Sequence, residues 1–302
     1  MQQHHILITG GSGILGQQLT QSLLNKGYQV NHLSRKLGKH PQVKTFLWNV
    51  EQQQIDENCL QGIDTIVHLA GAGVADKRWT KKRKQQIIDS RTQSIRLIYQ
   101  LMQRVPHQVK QVISASATGY YGDQSDELLV ESSPAAHDFL GTCCMAWEKA
   151  VDEGQQLGLS ITKFRTGVVL TQQGGALPQL ARPIKFGVGA ALGNGRQWIP
   201  WIHIQDAVNM YLEAIEGSLL PDVYNMVAPT PATNQQLTIA VAKQLRKPLW
   251  LPNVPAFLLK LLFGKMSTVV LGSTRVSAEK VQQAGFTFTY NNLTDALKNI
   301  YG

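Results

Sequence analysis

An apolar run near the amino terminus, "HILIT" (His5 to Thr9), passes directly into "GGSGILG" and then into the amphipathic stretch "GQQLTQSLLNKG". Gly10, Gly13 and Gly16 therefore stand in the spacing G-x-x-G-x-x-G between a strand pattern and a helix pattern. No other feature restricts the chain as much. A tight strand-to-helix turn needs a residue without Cβ. The free amides and positive end of the following helix then favour an anion brought close to the backbone. Strand, glycine spacing and helix agree, and together they predict a turn that holds the pyrophosphate of a dinucleotide. The residues expected to line it are Gly10, Ser12, Gly13, Ile14, Leu15 and Gly16.

The first half of the chain continues the alternation. "QVNHLS", "KTFLW", "DTIVHLAG", "KQVISASA", "SITKFRTGVVL" and "VYNMVA" read as further strands, and helical patterns fill Thr80 to Arg104 and Phe139 to Leu157. Strands alternating with helices predict an α/β fold, a doubly wound parallel sheet of the Rossmann type with helices on both faces. The regularity fails twice. Thr171 to Trp201 is rich in Gly and Pro with one short helical pattern, and the tail after Pro229 is mostly helical. The expected organisation is a nucleotide-binding domain over 1–170, completed by about 202–228. A smaller, mostly helical substrate lobe comprises 171–201 and 229–302 and closes over the carboxyl ends of the strands.

Composition narrows the class. The chain has 302 residues, is 43% hydrophobic and carries a net charge of +9, enough apolar content for one large core or one core with a lobe. The longest apolar run, "VPAFLLKLLFG", is short of the about 20 residues of a membrane span and contains Lys260. No membrane partner is expected. The strand pattern starts almost at once, so no leader peptide is expected either. Cys59, Cys143 and Cys144 are too few and too unevenly spaced for a disulfide framework and suggest a reducing, cytoplasmic setting. The basic stretch "DKRWTKKRK" (Asp76 to Lys84) could attract nucleic acid, form a solvated helix face, or rim a pocket for an anion. It lacks the interleaved aromatics of nucleic-acid modules, which argues against the first reading.

Ser34, Arg35 and Lys36 follow the second strand pattern. A carboxylate there would accept the ribose hydroxyls of NAD. A hydroxyl and two cations suit a 2′-phosphate instead, so NADP is expected, with NAD possible should Arg35 only stack on the adenine.

With these residues in view, the chain resembles the extended short-chain dehydrogenase/reductase superfamily. "TGGSGILG", "HLAGAG", "SASATGYYG", "FRTGVVL" and "WIHIQD" follow one another as that superfamily's motifs do. "LAGAGVADKRWTKKRKQQIIDSR", "FLGTCCMAWEKA", "GNGRQWIPWIHIQDAV" and "GSTRVSAEKVQQAGFTF" are similar to one atypical branch of NAD(P)-dependent nucleotide-sugar epimerase-like proteins with a C-terminal domain of unknown function. The resemblance implies cofactor contacts from Leu69, Ala70, Gly71, Ser90, Arg165 and Val168, a small-molecule substrate, and a possible homodimer through the two long helices.

The resemblance also implies a catalytic set: a Ser at the end of the fifth strand, then a Tyr and a Lys four apart on one helix face. The Tyr exchanges a proton with substrate during hydride transfer. Ser116 fits the first position. With Glu148 aligned to a glutamate one turn past the Lys, the Tyr place falls on Leu140 and the Lys place on Cys144. Leu has no proton to exchange, and a thiol near its usual pKa is mostly neutral. Phe139, Cys143 and Trp147 form a stripe expected in the core. A metal site is not expected, for want of ligand-spaced partners. A nucleophilic Cys144 has no evident base. Tyr120 and Tyr121 are the candidates to replace the missing acid, with wall residues as the alternative reading. Arg78 suits a carboxylate or phosphate, or merely the surface. Asp206 is expected to cap the helix "AVNMYLEAI", with His203 in a strand and Glu131 and Asp138 in loops. Two functions remain open: an NADP-dependent epimerase or oxidoreductase, and a non-catalytic NADP(H)-binding sensor.

Overall fold

The computed structural model describes residues 4–302. Six strands come first: β1 (His5–Thr9), β2 (Gln29–Ser34), β3 (Lys44–Asn49), β4 (Gln54–Ile55), β5 (Thr65–His68) and β6 (Gln111–Ala117). Interleaved with them are α1 (Ile14–Asn25) and α2 (Lys81–Met102). A short β7 (Leu128–Leu129), α3 (Phe139–Asp152), β8 (Ser160–Thr166), β9 (Val168–Leu170) and α4 (Ala176–Lys185) follow. Then come β10 (Trp198–Ile199), β11 (Trp201–His203), α5 (Ile204–Ile215), β12 (Val223–Met226) and β13 (Ala232–Thr233). The tail holds α6 (Asn234–Gln244), α7 (Ala256–Phe263), α8 (Thr268–Leu271), β14 (Arg275–Val276), α9 (Glu279–Gln283) and α10 (Leu293–Tyr301).

Eight strands form one sheet in the order β12-β8-β6-β5-β1-β2-β3-β4. Every pairing is parallel except β3 with the short edge strand β4. All four residues of the central strand β5 are buried, as a strand covered on both faces requires. One apolar cluster joins the sheet to α1 and α5 through Leu19, Leu23, Met210 and Tyr211. A second joins the other face to α2 and α3 through Ile95, Ile98, Trp147 and Val151. The doubly wound α/β sheet is therefore as expected. A third cluster, Leu177, Ala181, Leu237, Val241, Ala296 and Leu297, ties α4, α6 and α10 together.

The strand order reverses between β1 and β5. Their carboxyl ends therefore flank a crevice, the place where open α/β sheets receive ligands. Thr9 leads from β1 into the glycine turn, and His68 leads from β5 into Leu69, Ala70 and Gly71.

Three local expectations are corrected. The run "SITKFRTGVVL" is two strands, not one. A Cβ on Gly167 would lie 2.5 Å from the Pro200 carbonyl oxygen, so the chain turns there and β9 leaves the sheet to pair with β11. Asp206 does not cap α5. The cap is His203, whose Nδ1 accepts from the Gln205 amide at 3.1 Å. Asp206 is fully buried and accepts the amides of Thr289 and Tyr290 at 2.9 and 3.0 Å, pinning the tail to the sheet domain. Asp138 is no free loop carboxylate, because it caps α3 by accepting the Gly141 amide at 2.8 Å.

Candidate functional site

The glycine turn explains its own sequence. Gly10 has φ +72°, and a Cβ on it would meet the Leu69 carbonyl carbon at 2.8 Å. A Cβ on Gly16 would lie 2.5 Å from the Gly10 carbonyl oxygen. The Gly13 amide closes the turn on Gly10 O at 2.9 Å. Gly13 is also the N-cap of α1 and offers that helix no side-chain acceptor. The first-turn amides, near Ser12, Ile14 and Leu15, thus lack the side-chain oxygen that usually caps a helix start. Such an end fits the phosphates of a dinucleotide.

Two histidines support the turn from below, and the sequence pattern did not single them out. The His32 ring would lie 2.5 Å from a Cβ on Gly11, and its Nε2 meets Thr20 Oγ1 at 2.8 Å. His68 is fully buried between Thr9 Oγ1 at 3.0 Å and Ser94 Oγ at 3.2 Å. Burial pulls both rings down to about 4, so both are neutral at physiological pH. Thr9 Oγ1 in turn accepts the Leu69 and Ala70 amides at 3.2 and 3.1 Å, joining the turn to the segment that faces it. Ser34 is half-buried at the end of β2, and Arg35 and Lys36 beyond it are exposed. Ser90 donates to Ile87 O and accepts the Ala72 amide at 2.9 Å. Val168 is half-buried in β9.

Past β6 the character changes. Leu140 packs on Gly119, where an added Cβ would meet the Leu140 Cβ at 3.3 Å. Cys144 is buried against the Ala117 backbone, and burial pushes its thiol up to about 12. A neutral thiol there is no nucleophile at ordinary pH. The stripe of Phe139, Cys143 and Trp147 does not bury uniformly. Cys143 and Trp147 are in the core, whereas Phe139 is half-buried, edge-on to Trp79 at 4.8 Å and beneath the Lys84 ammonium at 4.7 Å.

A buried polar network lies behind these residues. Ser116 Oγ donates to Glu148 Oε1 at 2.7 Å. Arg165 grips both oxygens of the same carboxylate at 2.9 Å. Its Nη1 also donates to Tyr121 Oη at 3.0 Å and to the Glu131 carbonyl at 2.9 Å. Tyr121 Oη donates to Asn225 Oδ1 at 2.6 Å, and the Asn225 amide donates to the Glu131 carboxylate at 2.8 Å. One network thus joins β6, α3, β8, β12 and the loop before α3. Two expected site residues belong to it. Tyr121 is fully buried, with a hydroxyl engaged by Asn225 and Arg165 that burial pushes up to about 12. Arg165 is buried as the partner of Glu148 and stacks on Tyr120 at 3.4 Å, so its guanidinium is engaged inside the protein. Ser116 is buried too, with its hydroxyl committed to Glu148. Tyr120 alone of the three is half-buried, and no hydrogen bond engages its hydroxyl among the described residues.

The sequence reading missed Arg91. Its guanidinium lies where a Gly71 Cβ would be 3.1 Å from Cζ, donates to the Ala72 and Ile87 carbonyls, and stacks on Trp147 at 5.0 Å. It forms no ion pair with a carboxylate among the described residues. Desolvation lowers its pKa, and the fields of Cys143 and Cys144 act on it. Only its place one residue after Ser90 could have signalled it. Arg78 is exposed, and its Nη2 donates to the Leu262 carbonyl of α7 at 3.3 Å.

Comparison with known proteins gives this geometry a context. Residues 6–226 match the NAD dependent epimerase/dehydratase family, and residues 254–300 match a domain of unknown function, DUF1731. The epimerase family protein YfhF of Bacillus subtilis is 36% identical over 298 residues, covering 98% of this chain and 97% of the relative. The crystal structure of the human epimerase family protein SDR39U1 with NADPH superposes with a TM-score of 0.86 at 27% identity, covering 98% of this chain and 99% of that one. A nucleoside-diphosphate sugar epimerase from Corynebacterium glutamicum superposes with a TM-score of 0.81 at 29% identity, over 100% of this chain and 59% of that one. The family match spans residues 6–226 and the relatives are covered over nearly the whole of this chain, so the chain belongs to the NAD dependent epimerase/dehydratase family.

Proposed function

We propose that this protein binds NADP(H) in the crevice between β1 and β5 and acts as an oxidoreductase or epimerase on a small-molecule substrate. The observation that carries this reading is the glycine turn, whose carbon-free faces and uncapped helix start fit a pyrophosphate. Gly10, Gly13 and Gly16 let the phosphates approach, and Leu69, Ala70 and Gly71 face them across the crevice. Arg35 and Lys36, with no carboxylate beside them, favour the 2′-phosphate. NADPH on the human relative supports that preference. When bound, the dinucleotide supplies hydride chemistry at its nicotinamide.

The chain's own groups must then handle the proton. The alignment puts Leu140 and Cys144 where a Tyr and Lys pair would stand, and their packing on Gly119 and Ala117 is consistent with that alignment. Tyr120 Oη is the remaining donor, its ring held by the Arg165 guanidinium. Ser116 acts as a positioning residue through Glu148. Residues 171–201 and 229–302 form the lobe that closes on substrate.

A second reading, a non-catalytic NADP(H) sensor, draws on the same Leu140 and Cys144. Turnover separates the two. Incubation with NADP(H) and a panel of carbonyl compounds and sugar nucleotides should give cofactor oxidation or reduction. Tyr120→Phe should slow it by about 100-fold, the range of general acid catalysis, with unchanged cofactor affinity. Tight NADPH binding with no turnover on any substrate, and a partner affinity that follows cofactor state, would favour the sensor.

A further inference from the structure

α7 reads "AFLLKLLF" and buries only Leu259. Phe257, Leu261 and Leu262 are 67%, 75% and 62% exposed, and Leu258, Phe263 and Val269 join them at the surface. Trp250 just upstream is 67% exposed. An ordinary surface helix turns its apolar stripe inward and its polar face outward. α7 turns apolar side chains to solvent on both sides of Lys260. Contiguous exposed apolar surface of this kind marks a contact.

Within the segment that carries the patch, the charge has one sign. Between Pro248 and Ala278 the sequence contains no Asp or Glu, while Lys260 and Lys265 stand exposed within it. The basic segment after β5 adjoins it, because Arg78 reaches the Leu262 carbonyl at 3.3 Å. Lys77, Lys81 and Lys82 of that segment are exposed. Its only acid, Asp76, lies 3.5 Å from Arg83.

We propose that α7 and the basic segment dock the protein on the surface of a bilayer containing anionic lipid. α7 lies in the interface with its Phe and Leu side chains among the acyl chains, and the cations meet the headgroups. Trp250 has the amphipathic ring that favours that depth, and the Lys260 stem is long enough to carry its charge back to the headgroups. The exposed Phe257, Leu258, Leu261 and Leu262 share one face of α7, and the exposed Lys260 and Lys265 beside them match an anionic headgroup layer. A second copy would set Lys260, Lys265 and the basic segment against their like. With eight residues α7 lies on the membrane and does not cross it. No helix among the described residues is long and apolar enough to span.

The test is sedimentation of the full-length protein with vesicles of phosphatidylcholine, with and without about 30% phosphatidylglycerol. The parent should bind the anionic vesicles at least about 10-fold more tightly, and less so as salt rises. The double variant Leu261→Glu, Leu262→Glu should lose that binding while keeping the parent's melting temperature. Lys260→Glu with Lys265→Glu, which spares the apolar residues, should weaken it selectively for anionic vesicles. A parent that ignores both vesicle types, or a Leu261/Leu262 variant that still binds, would overturn the proposal. So would a parent dimer that the same variant returns to monomer without any vesicle affinity.

Discussion

The glycine turn after β1 and the first turns of α3, which pack at the end of β6, have opposite chemistry. At the turn, added atoms have almost no room. A Cβ would clash at Gly10 or Gly16, and two neutral histidines fill the space beneath. At α3, the positions nearest the end of β6 are an alkyl chain and a neutral thiol. Packing is tight in both places, but only the first keeps groups that a ligand can use. Sterics hold a binding surface in place with glycine and buried polar contacts. Proton transfer needs a specific ionisable atom, and the first turns of α3 present Leu140 and a buried Cys144 thiol at the end of β6. The ionisable groups of this region, Glu148 and Arg165, are turned inward to hold strands and helix together.

The predictions press on that contrast. Removing one partner of the inward pair should have the largest effect. Glu148→Ala leaves Arg165 buried without a counter-charge, and should destabilise the fold by about 3–5 kcal/mol, read as a fall in denaturant midpoint. A loss below about 1 kcal/mol would mean that the network is not structural. Next in size is the acid response of the turn. The folded pKa of His68 lies near 4, below the ordinary 6.5, so the folded state binds fewer protons than the unfolded one. Its contribution is whole above pH about 6.5 and is lost as pH falls toward 4, on the order of 3 kcal/mol in all. His32 acts in the same direction. Stability measured by denaturant from pH 7 to 4 should fall, and His68→Gln should flatten the fall. The smallest effect belongs to α3. Cys144→Ala should cost about 1 kcal/mol or less and leave cofactor affinity within about two-fold by titration calorimetry. A large loss of affinity would give Cys144 the role denied to it here.

The legible part of the sequence was the part written by periodicity and glycine. "HILIT" and "GGSGILG" state a strand and a turn because backbone sterics act within a few residues. The longer sheet strands followed from apolar runs for the same reason, whereas the two-residue, partly exposed edge strand β4 carried no such run. The inward turn of Tyr121 and Arg165 was not legible. It depends on Glu148, Asn225 and Glu131, which lie far apart in the chain and meet only in the folded state. Asp206 misled for a related reason. Beside a helix start it looks like a cap, yet its acceptors serve Thr289 and Tyr290 from the tail. The break at Gly167 was hidden because the obstacle is the Pro200 carbonyl, brought there by β11. Arg91 escaped because nothing local distinguishes a buried arginine from an exposed one on a long helix.

The account rests on the turn gripping a phosphorylated dinucleotide while α3 contributes no chemistry to that grip. Titration calorimetry of the parent and of Gly13→Asp with NADPH and with NADH tests this most directly. The account predicts binding by the parent, tighter for NADPH, and a loss of about 100-fold in the variant, where a carboxylate would stand against the phosphates at the helix start. No heat from either cofactor with the parent, or equal affinity in parent and variant, would contradict it.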